Sequence, residues 1–130
     1  MKLSEYFEHA KGKGVLATAD SSGKVDSAVY ARPHFIDEES IAFIMSDRLS
    51  HENLRSNPSA CYVFMEEGDK FVGKRLYLTK TSEEENSELI DELRRKRHYI
   101  PHGEYYKENK YLVYFHIDKV LPLIGSQARQ

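Results

Sequence analysis

The sequence has one cysteine, no tryptophan and no apolar run longer than about six residues in its 130. A lone thiol, Cys61, excludes an internal disulfide and hence a small cross-linked scaffold, and it suits a reducing compartment. Runs of this length fall far short of the roughly 20 apolar residues needed for a membrane-spanning helix, and the start Met1-Lys2-Leu3-Ser4-Glu5 carries no secretory hydrophobic region. The expected location is the cytoplasm. Charge of one sign is also missing. With 19 basic and 21 acidic residues the formal net charge is −2, so no global basic field exists to attract nucleic acid or an anionic membrane, and neither is expected as a partner.

What is present is a share of 40% hydrophobic and 31% charged residues, the balance of one soluble globular domain. A chain of this length hides roughly two-thirds of its unfolded surface, enough for one core. The expected layout is a single domain over 1–125 with a loose polar tail over 126–130. Nine tyrosines and six phenylalanines fall largely on short β-like runs, which favours a sheet core over a helical bundle.

Along the chain, Leu3, Phe7 and Ala10 share one face of a short helix that Ser4 can cap and that Gly12 and Gly14 end. Val15–Ala19, a turn at 20–24 and Val25–Ala31 read as a hairpin, which Arg32-Pro33 interrupts. His34–Ile36, the acidic turn 37–40 and Ile41–Met45 read as a second hairpin. Ser50 to Ser56 reads as a short helix capped by Ser50 and stopped by Pro58, followed by strands at 60–65 and 71–79. Ser82-Glu83-Glu84-Glu85 matches a capping box, opening a helix over 83–97 that places acids first and bases last, as the helix dipole favours. Lys110–Ile117 reads as the last strand. Three of these strands are apolar on both pleat faces, which an open single-faced sheet does not tolerate. A small barrel with a covered outer wall explains them; the cover is helices or a second copy of the chain, and with only two convincing helices the second copy is the expected one.

The segment Ser46 to Asn53, where a strand runs into a short helix, carries the most chemistry. Unpaired amides at a helix start, hydroxyls at Ser46 and Ser50 and the Arg48 guanidinium form a phosphate cradle on one reading, and a capped helix with a solvated arginine on the other. Arg32 joins the first reading if the two hairpins pair with each other.

The chain resembles the pyridoxamine 5′-phosphate oxidase-like, flavin-binding split-barrel proteins, small homodimers that hold FMN at the subunit interface. The likeness rests on Gly14-Val15-Leu16-Ala17-Thr18, the turn with Gly23, Arg32-Pro33, the segment from Ser46 to Pro58 with Asn53-Leu54 and Asn57-Pro58, and Tyr111–Phe115. It implies an all-β fold with peripheral helices, a six-stranded antiparallel split barrel. It implies that Ser46, Asp47, Arg48, Ser50 and Asn53 surround the FMN phosphate and ribityl chain, with His51 in the first turn of the same helix. Tyr30, Ala31 and Arg32 would line the isoalloxazine edge through backbone groups. The sequence departs from many relatives in placing Ser50 where they carry a phosphate-binding lysine, and it ends without the Arg- and His-bearing extension that binds substrate in the vitamin B6 oxidases themselves.

The resemblance therefore implies a relative of that enzyme, a flavin-dependent oxidoreductase of unassigned substrate, with F420 or haem as alternative cofactors and NAD(P)H as a possible electron donor. The competing class is a non-catalytic flavin or haem carrier or sensor. Lys74 interrupts an apolar strand and is a candidate for the flavin N1–C2 edge, the other reading being a side chain that faces water. His98 and His102 are separated by Pro101 and His116 lies on a distant strand, so no metal site is expected. No acid/base or nucleophile constellation stands out.

Overall fold

A computed structural model of the chain describes residues 2–86, 88–96 and 110–125. Its elements run α1 (Leu3–His9), β1 (Gly12–Ala19), β2 (Val25–Tyr30), β3 (His34–Phe35), β4 (Ser40–Ser46), α2 (Leu49–Ser56), β5 (Ser59–Glu66), β6 (Gly73–Glu85), α3 (Glu88–Lys96) and β7 (Lys110–Pro122). The strands form one antiparallel sheet in the order β2-β1-β5-β6-β7-β4-β3. Seven strands are present rather than six, because the two-residue arm β3 pairs with β4 through His34↔Ala42 and Phe35↔Ile41.

The sheet curls without closing. Its edges, β2 and β3, share no ladder, but the Tyr30 ring reaches across the opening to Phe43 of β4, with centroids 5.8 Å apart at 79°. Inside the curl, alternate residues converge on one core that includes Leu16, Phe43, Met45, Tyr62, Phe64, Leu76, Val113 and Phe115, all nearly or fully buried. α1 closes one end by inserting Phe7 against Tyr62 and Phe64. Outside it, α3 packs Ile90 and Leu93 on Ala42 and Leu112, which accounts for a strand that is apolar on both faces.

Three sequence expectations change. The hairpins β1–β2 and β3–β4 do not pair with each other, since β1 pairs with β5 and β4 with β7. The capping-box segment 82–85 is strand: Ser82, Glu83, Glu84 and Glu85 lie opposite Tyr114, Val113, Leu112 and Tyr111, and the helix starts only at Glu88. Asn86 makes the break. It sits at φ +48°, its N–H donates to the Lys110 carbonyl at 2.7 Å, and its Oδ1 accepts from the Lys110 N–H at 2.9 Å. The expected helix caps also shift. α1 and α2 follow Lys2 and Arg48, neither with a side-chain cap, and Ser50 lies inside the first turn of α2. The tail 126–130, and His98 and His102, lie outside the described residues.

Candidate functional site

β4 ends at Ser46, and the chain turns through Asp47 and Arg48 into α2. The Arg48 N–H donates to the Ser46 carbonyl at 2.9 Å, tightening the turn. Because no side chain caps α2, the amides of its first turn keep their outward dipole. Arg48 is exposed, whereas Ser50, His51 and Asn53 are buried. Asn53 faces the sheet, its Nδ2 donating to Thr18 Oγ1 at 3.0 Å, so it fixes α2 on β1.

His51 is fully buried and stacks on Tyr111, with ring centroids 3.9 Å apart and planes 20° from parallel. Its Nδ1 lies 2.9 Å from Asp47 Oδ1 and its Nε2 lies 3.0 Å from Glu83 Oε1. Glu83 in turn accepts from Lys80 Nζ at 2.6 Å. Burial works to raise the Glu83 carboxyl pKa, but the hydrogen bonds from Lys80 and His51 and their charges outweigh it, and the net shift is downward. Asp47 also faces Arg55, whose Nη2 lies 3.5 Å from Oδ1.

A cation that sequence reasoning missed lies beside Ser46. Lys110, 4% exposed, donates from Nζ to Ser46 Oγ at 2.7 Å. The two residues are opposite each other in the β4–β7 ladder, a pairing that only the register brings about. Glu83 was missed for a similar reason, since its segment carries a helix signal and its partner His51 is 32 residues away.

The exit of β2 is held differently. The Tyr62 hydroxyl donates to the carbonyls of Ala31, at 3.0 Å, and Tyr30, at 3.3 Å. Arg32 directs Nη1 to the carbonyls of Phe7 and Ala10, at 2.9 and 3.1 Å, so it clamps the end of α1. Tyr30, Ala31 and Arg32 line a cavity of about 490 Å³ in the opening of the curl, with Phe43 and Ile44 of β4 and Leu93 and Arg94 of α3 as further walls. Ile44 and Ser46 are two residues apart on one pleat face of β4, about 7 Å along the strand. The β2 exit and the start of α2 are thus brought along a single strand.

Lys74 lies at the opposite end of β6 from Glu83, about 30 Å of strand away, and in the ladder row Tyr30, Gly14, Phe64, Lys74 that starts at the β2 exit, with Nζ 4.6 Å from the centroid of the Tyr6 ring. Cys61 is half-buried, and its desolvation raises the thiol pKa against a smaller opposing pull from Arg75. Among the described residues no group of three or more His, Cys, Asp or Glu is placed to hold a metal ion, and no helix is long and apolar enough to cross a membrane.

No family model matches the chain, and no curated protein matches it in sequence. Solved structures do match. An FMN-binding protein from Syntrophomonas wolfei superposes with a TM-score of 0.77 at 19% identity, covering 97% of this chain and 86% of that one. A candidate pyridoxamine 5′-phosphate oxidase from Lactobacillus delbrueckii gives 0.63 at 17% identity, over 90% of this chain and 88% of that one. The haem storage protein HutZ of Vibrio cholerae gives 0.59 at 17% identity, over 92% and 90%. The resemblance read from the motifs is therefore borne out in the backbone: the chain has the split-barrel fold of these proteins.

Proposed function

We propose that the chain binds FMN non-covalently at the interface of a cytoplasmic homodimer and is a flavin-dependent oxidoreductase for a small-molecule substrate, with NAD(P)H as electron donor. The observation that carries this reading is that the uncapped start of α2 and the exit of β2 lie along one strand, β4, with cations at the first and aromatic and backbone groups at the second. The likeness to an FMN-binding split barrel over nearly the whole chain supports it. The unit that does this is a single domain over 1–125.

The residues present fit a flavin phosphate. Arg48, the Ser46 hydroxyl, the Lys110 ammonium and the α2 amides supply charged and neutral donors, and Lys110 makes good the lysine that Ser50 replaces. Asp47, an acid next to a phosphate, is offset by Arg55. Tyr30 and Ala31, held by Tyr62, orient the ring edge. When bound, the flavin supplies the redox chemistry, while the chain anchors, orients and partly desolvates it.

The outer face of the sheet supports the homodimer. Val29, Val15 and Val63 stand side by side on β2, β1 and β5, and Val29 is 79% exposed, with Val25 at 82% on the same strand. An apolar row open to water on this scale marks an interface.

The test is the visible spectrum and solution mass of the purified protein during FMN titration. A flavin band on a dimer is expected, and the combined substitutions Arg48→Ala and Ser50→Ala should weaken FMN at least about tenfold. A colourless protein that takes up no FMN defeats the proposal. The likeness to a haem storage protein favours one second reading, a carrier without turnover. Saturable NADH or NADPH oxidation with an acceptor separates the two.

A further inference from the structure

We propose that His51 is a positioning residue that couples anion binding at the start of α2 to the uptake of a proton. The inference rests on the flavin reading of that site and names how the site is regulated. The imidazole is fully buried in the first turn of α2 and is held from both sides. Its Nδ1 meets Asp47 Oδ1 at 2.9 Å, in the turn that precedes the helix, and its Nε2 meets Glu83 Oε1 at 3.0 Å, on β6. Tyr111 of β7 stacks on its face. The ring therefore pins the turn between β4 and α2 to the sheet behind it.

A neutral imidazole has one N–H and one lone pair. With both carboxylates ionised, one of the two contacts then sets a ring lone pair against an oxygen, and the ring is bonded from one side only. A second proton turns both contacts into charge-assisted hydrogen bonds. The charged groups around the ring are opposed. Asp47 and Glu83 attract that proton, while Arg55, 3.5 Å from Asp47, and Lys80, 2.6 Å from Glu83, work against it. Desolvation pushes up the Tyr111 hydroxyl pKa, so the stacked ring brings no charge, and Glu85 lies opposite Tyr111 in the β6–β7 ladder. An anion seated on the α2 amides adds negative charge to this set and favours the second ring proton. Anion and proton thus stabilise each other, and the anion binds more tightly as pH falls. Asp47, its side chain 49% exposed, gives the proton a path from water to the buried ring.

The test is FMN titration of the wild type and His51→Gln at about pH 6 and about pH 8.5, on either side of the range in which histidine changes charge. Calorimetry in buffers of different ionisation enthalpy counts the protons. The second ionisation of the FMN phosphate, near pH 6, is common to both proteins and cancels in the comparison. Wild-type affinity should fall at least about fivefold more than that of His51→Gln across this range, with more protons taken up on binding. A residue that only props the helix would lower affinity by one factor at both pH values. If His51→Gln does not fold, Asp47→Asn, on the exposed side of the cluster, should flatten the profile in the same way, because a ring with one N–H then satisfies both neighbours. Matching profiles in a folded variant that binds FMN overturn this inference alone. Absence of FMN uptake at both pH values overturns the flavin reading, and sulfate, a dianion throughout the range, then decides this inference by calorimetry. Sulfate binding that weakens with rising pH in the wild type and not in the variant upholds it, and no binding or equal profiles overturn it.

Discussion

The Nε2 of His51, on α2, lies 3.0 Å from one carboxylate oxygen of Glu83, on β6, and 3.1 Å from the other. This contact joins the helix that carries the candidate phosphate site to the long strand beneath it, and the imidazole is fully buried between them. His51→Ala removes a packed ring and leaves Glu83 and Asp47 each short of a donor. The expected cost is about 2–4 kcal/mol, from the cavity and the unmet acceptors together, or a drop in Tm of roughly 6–15 °C. Asp47→Asn touches only the exposed side of the same cluster and should cost less than about 1 kcal/mol. Thermal melts of the two variants check this ordering, and equal effects would show that the Glu83 contact adds nothing.

Glu83 also sets a pH dependence. Its folded pKa lies below the ordinary carboxylate value, because the pairing with Lys80 and His51 overcomes the opposing effect of burial. A depressed carboxylate stabilises the fold fully above the unfolded pKa, near 4.3 for an ordinary glutamate, and that contribution disappears as pH falls through the lower folded value. Urea melts between about pH 7 and pH 3 should therefore show an acid limb that flattens in Glu83→Gln, whose cost at neutral pH is about 1–3 kcal/mol. An unchanged acid slope would place the titrating groups elsewhere.

At the other end of the site, a chain of contacts runs from Gly14 to the β2 exit. A Cβ on Gly14 would fall inside the Tyr62 hydroxyl, which is the group that holds the Ala31 and Tyr30 carbonyls. Gly14→Ala must displace that buried ring, at about 1–3 kcal/mol. Tyr62→Phe keeps the ring and loses the hydroxyl, at about 0.5–1.5 kcal/mol. If the β2 exit orients the flavin ring, Tyr62→Phe also lowers FMN affinity by more than its effect on Tm accounts for, which paired titration and melting curves read directly.

Much of this molecule is legible in the sequence because alternation and punctuation agree. Arg32-Pro33 ends β2, Pro58 ends α2, and the residues buried on β1, β4, β5 and β7 are mostly those of the apolar runs, Thr18 and Lys110 being polar exceptions. The misread segment, 82–85, carries a true helix-start signal that the β7 ladder overrides, with Glu84 accepting from the Tyr114 hydroxyl at 3.1 Å and Glu83 from His51. The edge-to-edge arrangement of the hairpins was not legible, since β1 and β4 find their partners 42 to 76 residues downstream. The candidate site divides the same way. Ser46 to Asn53 is one contiguous signal, whereas Lys110 and Arg94 arrive from distant elements and carry no local mark.

Lys110 gives the clearest test of how the site compensates for Ser50. Its ammonium, 2.7 Å from Ser46 Oγ, is held by the strand register rather than by the helix. Lys110→Met should reduce FMN affinity at least about tenfold, since it deletes a charge-assisted donor to the phosphate, and Lys110→Arg should recover part of it. FMN fluorescence quenching in both variants, alongside riboflavin as a ligand without phosphate, makes the comparison specific: riboflavin binding should not respond. A loss of equal size for both flavins would mark Lys110 as structural.

The outer face of the sheet, whose Val29 also borders the cavity at the β2 exit, yields a prediction read from solution mass. Val29 is 79% exposed and stands beside Val15, which stands beside Val63, so the row crosses three strands. A charge at its open end costs the folded monomer little, because the side chain already meets water. Buried in a dimer, the same charge loses its water among valines, with Arg75, opposite Val63, the next side chain of the row, and it opposes association. Val29→Glu should therefore keep the wild-type circular dichroism while the solution mass falls from two chains to one. If the FMN site spans two subunits, the monomer should also lose FMN. A dimer that persists in Val29→Glu would move the interface off this face.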